Sequence, residues 1–349
     1  MIKYIVKRLL LMLMTLVIIM TMCLIFVRLL PTPPISKQPG VDIELQYKNL
    51  VKDGYLIMIE DPDGTYQTKE EPKFVSEDGV RKYYKMPVMQ ALGVFWKNVI
   101  TRWDWGEGTV MYTGQGDVWN VLGQKLPYTM LVNIYSVILS VPLGILLGIY
   151  AALRKNKWQD HVVSTGVMIV VSVPSYIYAF LIQYLFCYKL GWWKLFIPSE
   201  SEASLLSWTM FWQMMPAILS LSFGSIAGFA RYTRAELSEV LTSEYLLLAR
   251  TKGLTRAQAI GRHALRNSMV VIFPMILGEF ISILGGSLII EQMFGIPGVG
   301  ALYISSINRR DYNYFMALTF FYTFIGLLSG IVIDLSYGII DPRIRMGER

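Results

Sequence analysis

Six stretches of the chain, roughly 9–30, 128–152, 162–189, 211–232, 269–291 and 314–337, are apolar enough to lie in a bilayer. Crossing one takes about 20 mainly apolar residues in a helix. Lipid offers backbone N–H and C=O groups no partners, so a spanning segment must satisfy its own hydrogen bonds. The fold class that follows is an all-α polytopic membrane protein with six transmembrane helices. Only 16% of the residues are charged, against about a quarter in soluble domains. Several runs exceed the minimum length, which implies tilt without setting its angle.

Charge then orients the spans. With the N-terminus, 153–161, 231–268 and 338–349 placed in the cytoplasm, that side holds 16 Lys/Arg against 6 Asp/Glu. This is the positive-inside distribution, and it puts both termini in the cytoplasm of a multi-pass cell-membrane protein. The net charge of +7 thereby reflects topology and lipid contact, with no nucleic-acid partner implied. Lys3, Lys7 and Arg8 precede an apolar core that runs to about Val27 with no small-x-small site after it, so residues 1–30 read as a retained anchor helix. Cys23 and Cys187 both fall inside spans and read as apolar filler.

Residues 31–127 form the one large polar segment, on the extracytoplasmic side. PTPPISKQPG cannot continue a helix. Two apolar stretches flanked by DPDG and SEDG turn signals predict a small insertion of α+β character at about 40–85. From Met86 the pattern turns helical and ends at WDWGEG. Residues 128–337 make a core of five spans, and 338–349 a cytoplasmic tail. Trp192, Trp193, Trp208 and Trp212 around the second outer loop read as an interfacial aromatic belt.

Between the fourth and fifth spans lies a compact basic loop, 243–267, SEYLLLARTKGLTRAQAIGRHALRN. A helical run from Glu244 meets Gly253, suited to the left-handed residue that stops a helix. Thr255 and Gln258 then make a T-x-x-Q capping box that starts a second helix. Helix, tight turn and helix would project from the membrane as a rigid lever.

This loop resembles the coupling loop of binding-protein-dependent ABC importer permeases, whose pattern is E-A-A-x-x-x-G followed by a polar stretch. Ala249 and Gly253 match it, while Leu247 and Leu248 stand where the pattern has Glu and Ala. The oligopeptide/dipeptide branch is similar through Tyr245, Ala249, Arg250, Lys252, Gly253 and the run His263–Asn267. The resemblance continues in Asp104-Trp105-Gly106, in Lys125-Leu126-Pro127-Tyr128-Thr129, and in Glu291-x-x-Phe294-x-x-Pro297-Gly298-x-Gly300. Arg310-Asp311-Tyr312 and Asp341-Pro342-Arg343-Ile344-Arg345 extend it to the C-terminal end. What it implies is the B-type transmembrane subunit of a peptide importer. The partners would be a second permease subunit in a heterodimer, two ATPase subunits that carry ATP and Mg, and an extracytoplasmic substrate-binding protein. Glu244, Tyr245, Ala249, Arg250, Lys252, Gly253, Arg262, His263 and Arg266 would then meet the ATPase. The E-x-x-F-x-x-P-G-x-G element, with Glu291, Gly295, Pro297, Gly298 and Gly300, would sit at the outer mouth of the pathway.

Other chemistry is sparse. No glycine is followed by lysine, so the chain lacks a phosphate-cradling P-loop and any ATP hydrolysis belongs to another subunit. His161 and His263 are the two histidines, and neither has a partner at metal-ligand spacing. No catalytic residue, metal ligand or cofactor of its own is expected. Glu279 is the acid that reads as deep in a span. It either lines the pathway and attracts a peptide's amino terminus or bonds to a neighbouring subunit or to polar groups such as Ser282. Asp334 and Arg28 read as helix-end anchors. Two other readings stay open: a gradient-driven secondary transporter, which usually needs more intramembrane charge, and an importer of a non-peptide solute such as a nickel chelate or oligosaccharide.

Overall fold

The computed structural model describes residues 2–35, 42–61, 71–77, 79–112, 117–198 and 204–340. The D-P-R-x-R terminus, most of the DPDG turn and one residue of SEDG lie outside the described residues. Among the described residues five helices are long and apolar enough to cross a membrane, or six spans if one bent pair counts as one. The multi-pass, predominantly helical architecture read from hydropathy is present. The chain divides into two compact units, one taking in residues up to Arg8, Leu126–Ala301 and everything from Ile325 on, the other Leu9–Lys125 and Leu302–Phe324.

The long helix α1 (Ile2–Leu29) belongs to the second unit from Leu9 on, and α2 (Ile43–Lys52) follows it, capped by Asp42, which accepts from the amides of Glu44 and Leu45. Strands β1 (Leu56–Glu60), β2 (Phe74–Val75) and β3 (Arg81–Lys85) form an antiparallel sheet in the order β1-β3-β2, with Leu56 opposite Lys85. Tyr47 of α2 stacks on Phe74 at 4.2 Å and leans on the buried Tyr83, so the expected insertion folds around its own aromatic core. Helix α3 (Val88–Arg102) closes with Trp103 in the left-handed conformation. Arg28, in the last turn of α1, is 5% exposed, lies 3.5 Å over the Tyr55 ring and donates to the Asp53 carbonyl at 2.8 Å.

In the first unit, α4 (Val118–Leu153) packs closely on α7 (Trp208–Val240). A Cβ at Gly144 would fall 2.6 Å from Phe229 Cβ, and one at Gly148 would fall 2.5 Å from Thr233 Cβ. The third apolar run is two helices, α5 (Trp158–Ser172) and α6 (Ser175–Ile182), the latter continuing as a π-helical turn to Lys189. They bend by 100°, because Val173, preceding Pro174, is extended. A second apolar core gathers Tyr128 and Val132 of α4, Ala179 of α6, and Met210, Met214 and Ile218 of α7.

The fifth run also differs from the hydropathy reading. After α8 (Glu244–Thr251) the chain forms one 27-residue helix, Arg256–Ser282, made of α9 (Arg256–Ala259), a π-helical turn (Ile260–Ala264) and α10 (Leu265–Ser282). It ends at Gly285 and Gly286, the latter with φ +63°, and α11 (Leu288–Met293) is separate. The apolar sequence continues across this break, which is why it reads as one span. Helices α12 (Val299–Arg309) and α13 (Tyr312–Ile340) complete the fold.

Candidate functional site

The loop 243–267 folds as the helix-turn-helix read from its sequence. Gly253 has φ +94°, a conformation that costs other residues about 1–2 kcal/mol. The Gly253 amide donates to Arg250 O at 3.0 Å, and the Lys252 amide to Leu248 O at 3.1 Å. Thr255 and Gln258 form the reciprocal capping box, with Thr255 N donating to Gln258 Oε1 at 3.0 Å and Gln258 N to Thr255 Oγ1 at 3.3 Å. No loop follows: α9 runs directly into the fifth span, so the second helix of the hairpin and the span are one helix.

An apolar core fastens this hairpin to the rest of its unit. Leu246, Ala259 and Ala264 are buried together with Ala152 at the end of α4 and Leu237 near the end of α7. Ala249 is buried too. Glu244, Tyr245, Arg250, Lys252, Gly253, Arg262, His263 and Arg266 are all exposed. The departures from the family pattern, Leu247 and Leu248, are 63% and 55% exposed. Leu246, Leu247, Ala259 and Ile260 line a groove of about 290 Å³ together with Arg250 and Arg256. The apolar side chains of this groove thus lie beside two exposed cations, Arg250 and Arg256.

The E-x-x-F-x-x-P-G-x-G element is organised by Glu291. This residue is 1% exposed, and its Oε2 accepts from the amides of Gly300 at 2.8 Å and Ala301 at 3.3 Å, at the start of α12. The carboxylate therefore occupies the positive end of that helix. Thr129, also fully buried, accepts from Val299 N at 2.8 Å. Burial pushes the Glu291 carboxyl up to about 7, against the pull of hydrogen bonds from Thr129 and from the Ala301 and Gly300 amides. A Cβ at Gly298 would lie 2.2 Å from Glu291 Oε2, and one at Gly286 would lie 2.3 Å from Oε1. The structure thus unites Glu291, Gly298 and Gly300 with Thr129, a residue from a distant motif. Gly295 (φ +64°) turns the chain over Phe196, and Pro297 is half-buried.

Glu279 has other partners. It stands in the last turn of α10, half-buried rather than deep in a span. Its Oε1 accepts from Ser225 of α7 at 2.5 Å and its Oε2 from Ser282 at 3.2 Å. Asp334 pairs with Arg8 at 2.9 Å. Among the described residues no three His, Cys, Asp or Glu side chains converge as metal ligands would.

Two sets of contacts escaped the sequence reading. In the second unit, Asp311 accepts from the amides of Val110 and Met111, both at 2.9 Å, and Asn313 donates to Asp53 Oδ2 at 2.7 Å and Glu107 O at 2.8 Å. Asp311 of the R-D-Y motif and Asn313 beside it thereby pin the 107–111 loop. In the first unit, Asp160 meets Arg234 across α5 and α7. Neither pairing leaves a local sequence signal, since the partners lie far apart in the chain.

Residues 144–346 match the family described as binding-protein-dependent transport system inner membrane component. The chain belongs to that family. It is 30% identical over 346 residues to the dipeptide transport system permease protein DppB of Lactococcus lactis subsp. cremoris, which covers 99% of this chain and 100% of that one. It is 29% identical over 349 residues to DppB of Bacillus subtilis, with 99% of each chain covered. It is also 29% identical over 348 residues to the glutathione transport system permease protein GsiC of Salmonella choleraesuis, again with 99% of each covered. The family match takes in the 243–267 hairpin, the Glu291 element and the last span, so the chain is a membrane-spanning permease component of such a transport system.

Proposed function

We propose that this family member forms half of the transmembrane pathway of a peptide importer. A second, non-identical permease would complete it, two ATPase subunits bearing ATP and Mg would bind beneath, and an extracytoplasmic binding protein would deliver substrate. The observation that carries this reading is the coupling hairpin. Its buried face is bolted to α4 and α7, its far helix is continuous with α10, and its exposed face bears Arg250, Lys252, Arg262 and Arg266. Such a body passes a push on its tip into the spans without dissipating it in a flexible loop. The basic distribution supports cytoplasmic termini and, with them, a hairpin on the ATPase side.

Peptide as substrate is supported by relatives that are dipeptide and glutathione permeases. Glu279, held by two serine hydroxyls, would face the pathway and attract a peptide ammonium group. The loop around Glu291, Gly295, Pro297, Gly298 and Gly300 would shape its outer mouth. A pull-down of the tagged chain from native membrane in mild detergent tests the assembly. Recovery of a second permease and two P-loop ATPases is the expected result. Recovery of the chain alone, or as a homo-oligomer without an ATPase, would refute it.

A further inference from the structure

Asp160 is 1% exposed, in the first turn of α5. Both of its oxygens are taken by Arg234 of α7: Nη2 donates to Oδ2 at 2.8 Å, and Nε to Oδ1. Oδ2 also accepts from the Asn156 amide at 2.9 Å, and Oδ1 from Ser164 Oγ at 3.3 Å. Asn156 has φ +64° in the tight turn between α4 and α5. One carboxylate therefore ties together a turn, the start of one helix and the end of another.

The surroundings give this pair a mechanical meaning. Ala152, just before the turn, and Leu237, one turn beyond Arg234, are both in the apolar core that holds the coupling hairpin. Gly148 meets Thr233 and the Ala230 carbonyl at close range. The hairpin base is thus a ring: hairpin, α7, Arg234, Asp160, the 154–157 turn, the end of α4, and back to the hairpin. Beyond Asp160, α5 runs unbroken to the 100° break at Val173–Pro174. The bidentate fork supplies orientation as well as attraction, which a single contact would not.

We propose that Asp160 and Arg234 are positioning residues for energy coupling. They lock the α4–α5 turn to the hairpin base, so that a displacement of the hairpin carries α5 with it up to the Pro174 break. The lock is a property of this chain, and its use in transport rests on the importer reading above.

Two measurements test it. In the purified full-length chain, spin labels at Lys155 and Thr251, both exposed, report the distance from the α4–α5 turn to the hairpin. A single narrow distribution is expected for the parent, and a broad or shifted one for Asp160→Asn. An unchanged distribution would overturn the lock. If Asp160→Asn fails to accumulate, Arg234→Lys keeps the charge, loses the fork and is expected to broaden the distribution part-way; no broadening is the overturning result.

The second measurement uses the whole complex in proteoliposomes with a radiolabelled dipeptide. Asp160→Asn is expected to assemble with the ATPases and hydrolyse ATP, yet to transport about tenfold less dipeptide per ATP, as a coupling free energy of ordinary size allows. Parental transport per ATP in that variant would overturn the coupling role. A parent complex that neither binds an ATPase nor transports would instead count against the importer reading and leave the label result to decide the lock.

Discussion

Replacing Gly148 with alanine should push α4 away from α7. The added Cβ would sit 2.5 Å from Thr233 Cβ and 2.7 Å from the Ala230 carbonyl oxygen, whereas unstrained carbon contacts lie at about 3.5–4.0 Å. The shortfall is about 1 Å. Part of it is against backbone that cannot rotate away, so the helices must part. Overpacking of this kind costs about 1–3 kcal/mol, and the gain in helix propensity from Gly to Ala returns up to about 1 kcal/mol. With the cost in the upper part of that range, as a clash against backbone implies, the net loss of about 1–2 kcal/mol corresponds to a melting point lower by about 2–8 °C, at roughly 2–4 °C per kcal/mol. Gly166→Ala on α5 is the matched control: nothing lies within 4 Å of its added Cβ, so the propensity gain stands alone. The assay is thermal unfolding of the purified chain in detergent at one fixed heating rate. A Gly148→Ala protein that melts at or above the parent, as Gly166→Ala should, would refute the close approach of α4 and α7.

Gly253→Val keeps space around the side chain but not the backbone conformation, since φ is +94° and nothing lies within 4 Å of the added Cβ. It should lower transport per ATP while leaving assembly intact, and Gly253→Asn should be milder; unchanged peptide uptake in the valine variant would sink the lever reading. Glu291→Ala strips the Gly300 and Ala301 amides of their acceptor, at about 1–3 kcal/mol, while Glu291→Gln keeps one oxygen in place. Thermal unfolding should rank parent, Gln, Ala, and equal melting of all three would show that the α12 N-terminus does not depend on the carboxylate. Burial lifts the Asp53 carboxyl from 3.8 to about 6, opposed by the Asn313 bond and Lys52 and aided by Asp104. Because the folded state then holds a proton that the unfolded state has released, stability falls as pH rises from about 4 to about 6 and levels off above. Asp53→Asn should flatten that slope in melting curves taken across the window, and an identical slope would assign it to another group.

Much of this protein is written in short-range chemistry. Residues that dictate the hairpin sit within a few positions of one another: Gly253 after its helix, Thr255 and Gln258 at the next. Their rules act over one turn and need no knowledge of the rest. The helix after Met86 and the aromatic strands of the insertion are legible for the same reason. Proline shows where that legibility stops. Pro127, Pro142, Pro216 and Pro274 all lie inside continuous helices, whereas Pro174 marks a 100° bend, and nothing in their identity separates the two outcomes.

By itself, then, the sequence determined that the chain enters a membrane several times, and that a capped basic hairpin emerges between two spans. Hydrophobic length, charge and caps are local quantities. The tertiary structure alone decided that the fifth helix stops at Ser282, that Glu291 turns inward to hold α12 beside Thr129, and that Asp160 finds Arg234. Those outcomes depend on which buried donors a distant segment brings, because a carboxylate out of water survives only where such donors converge.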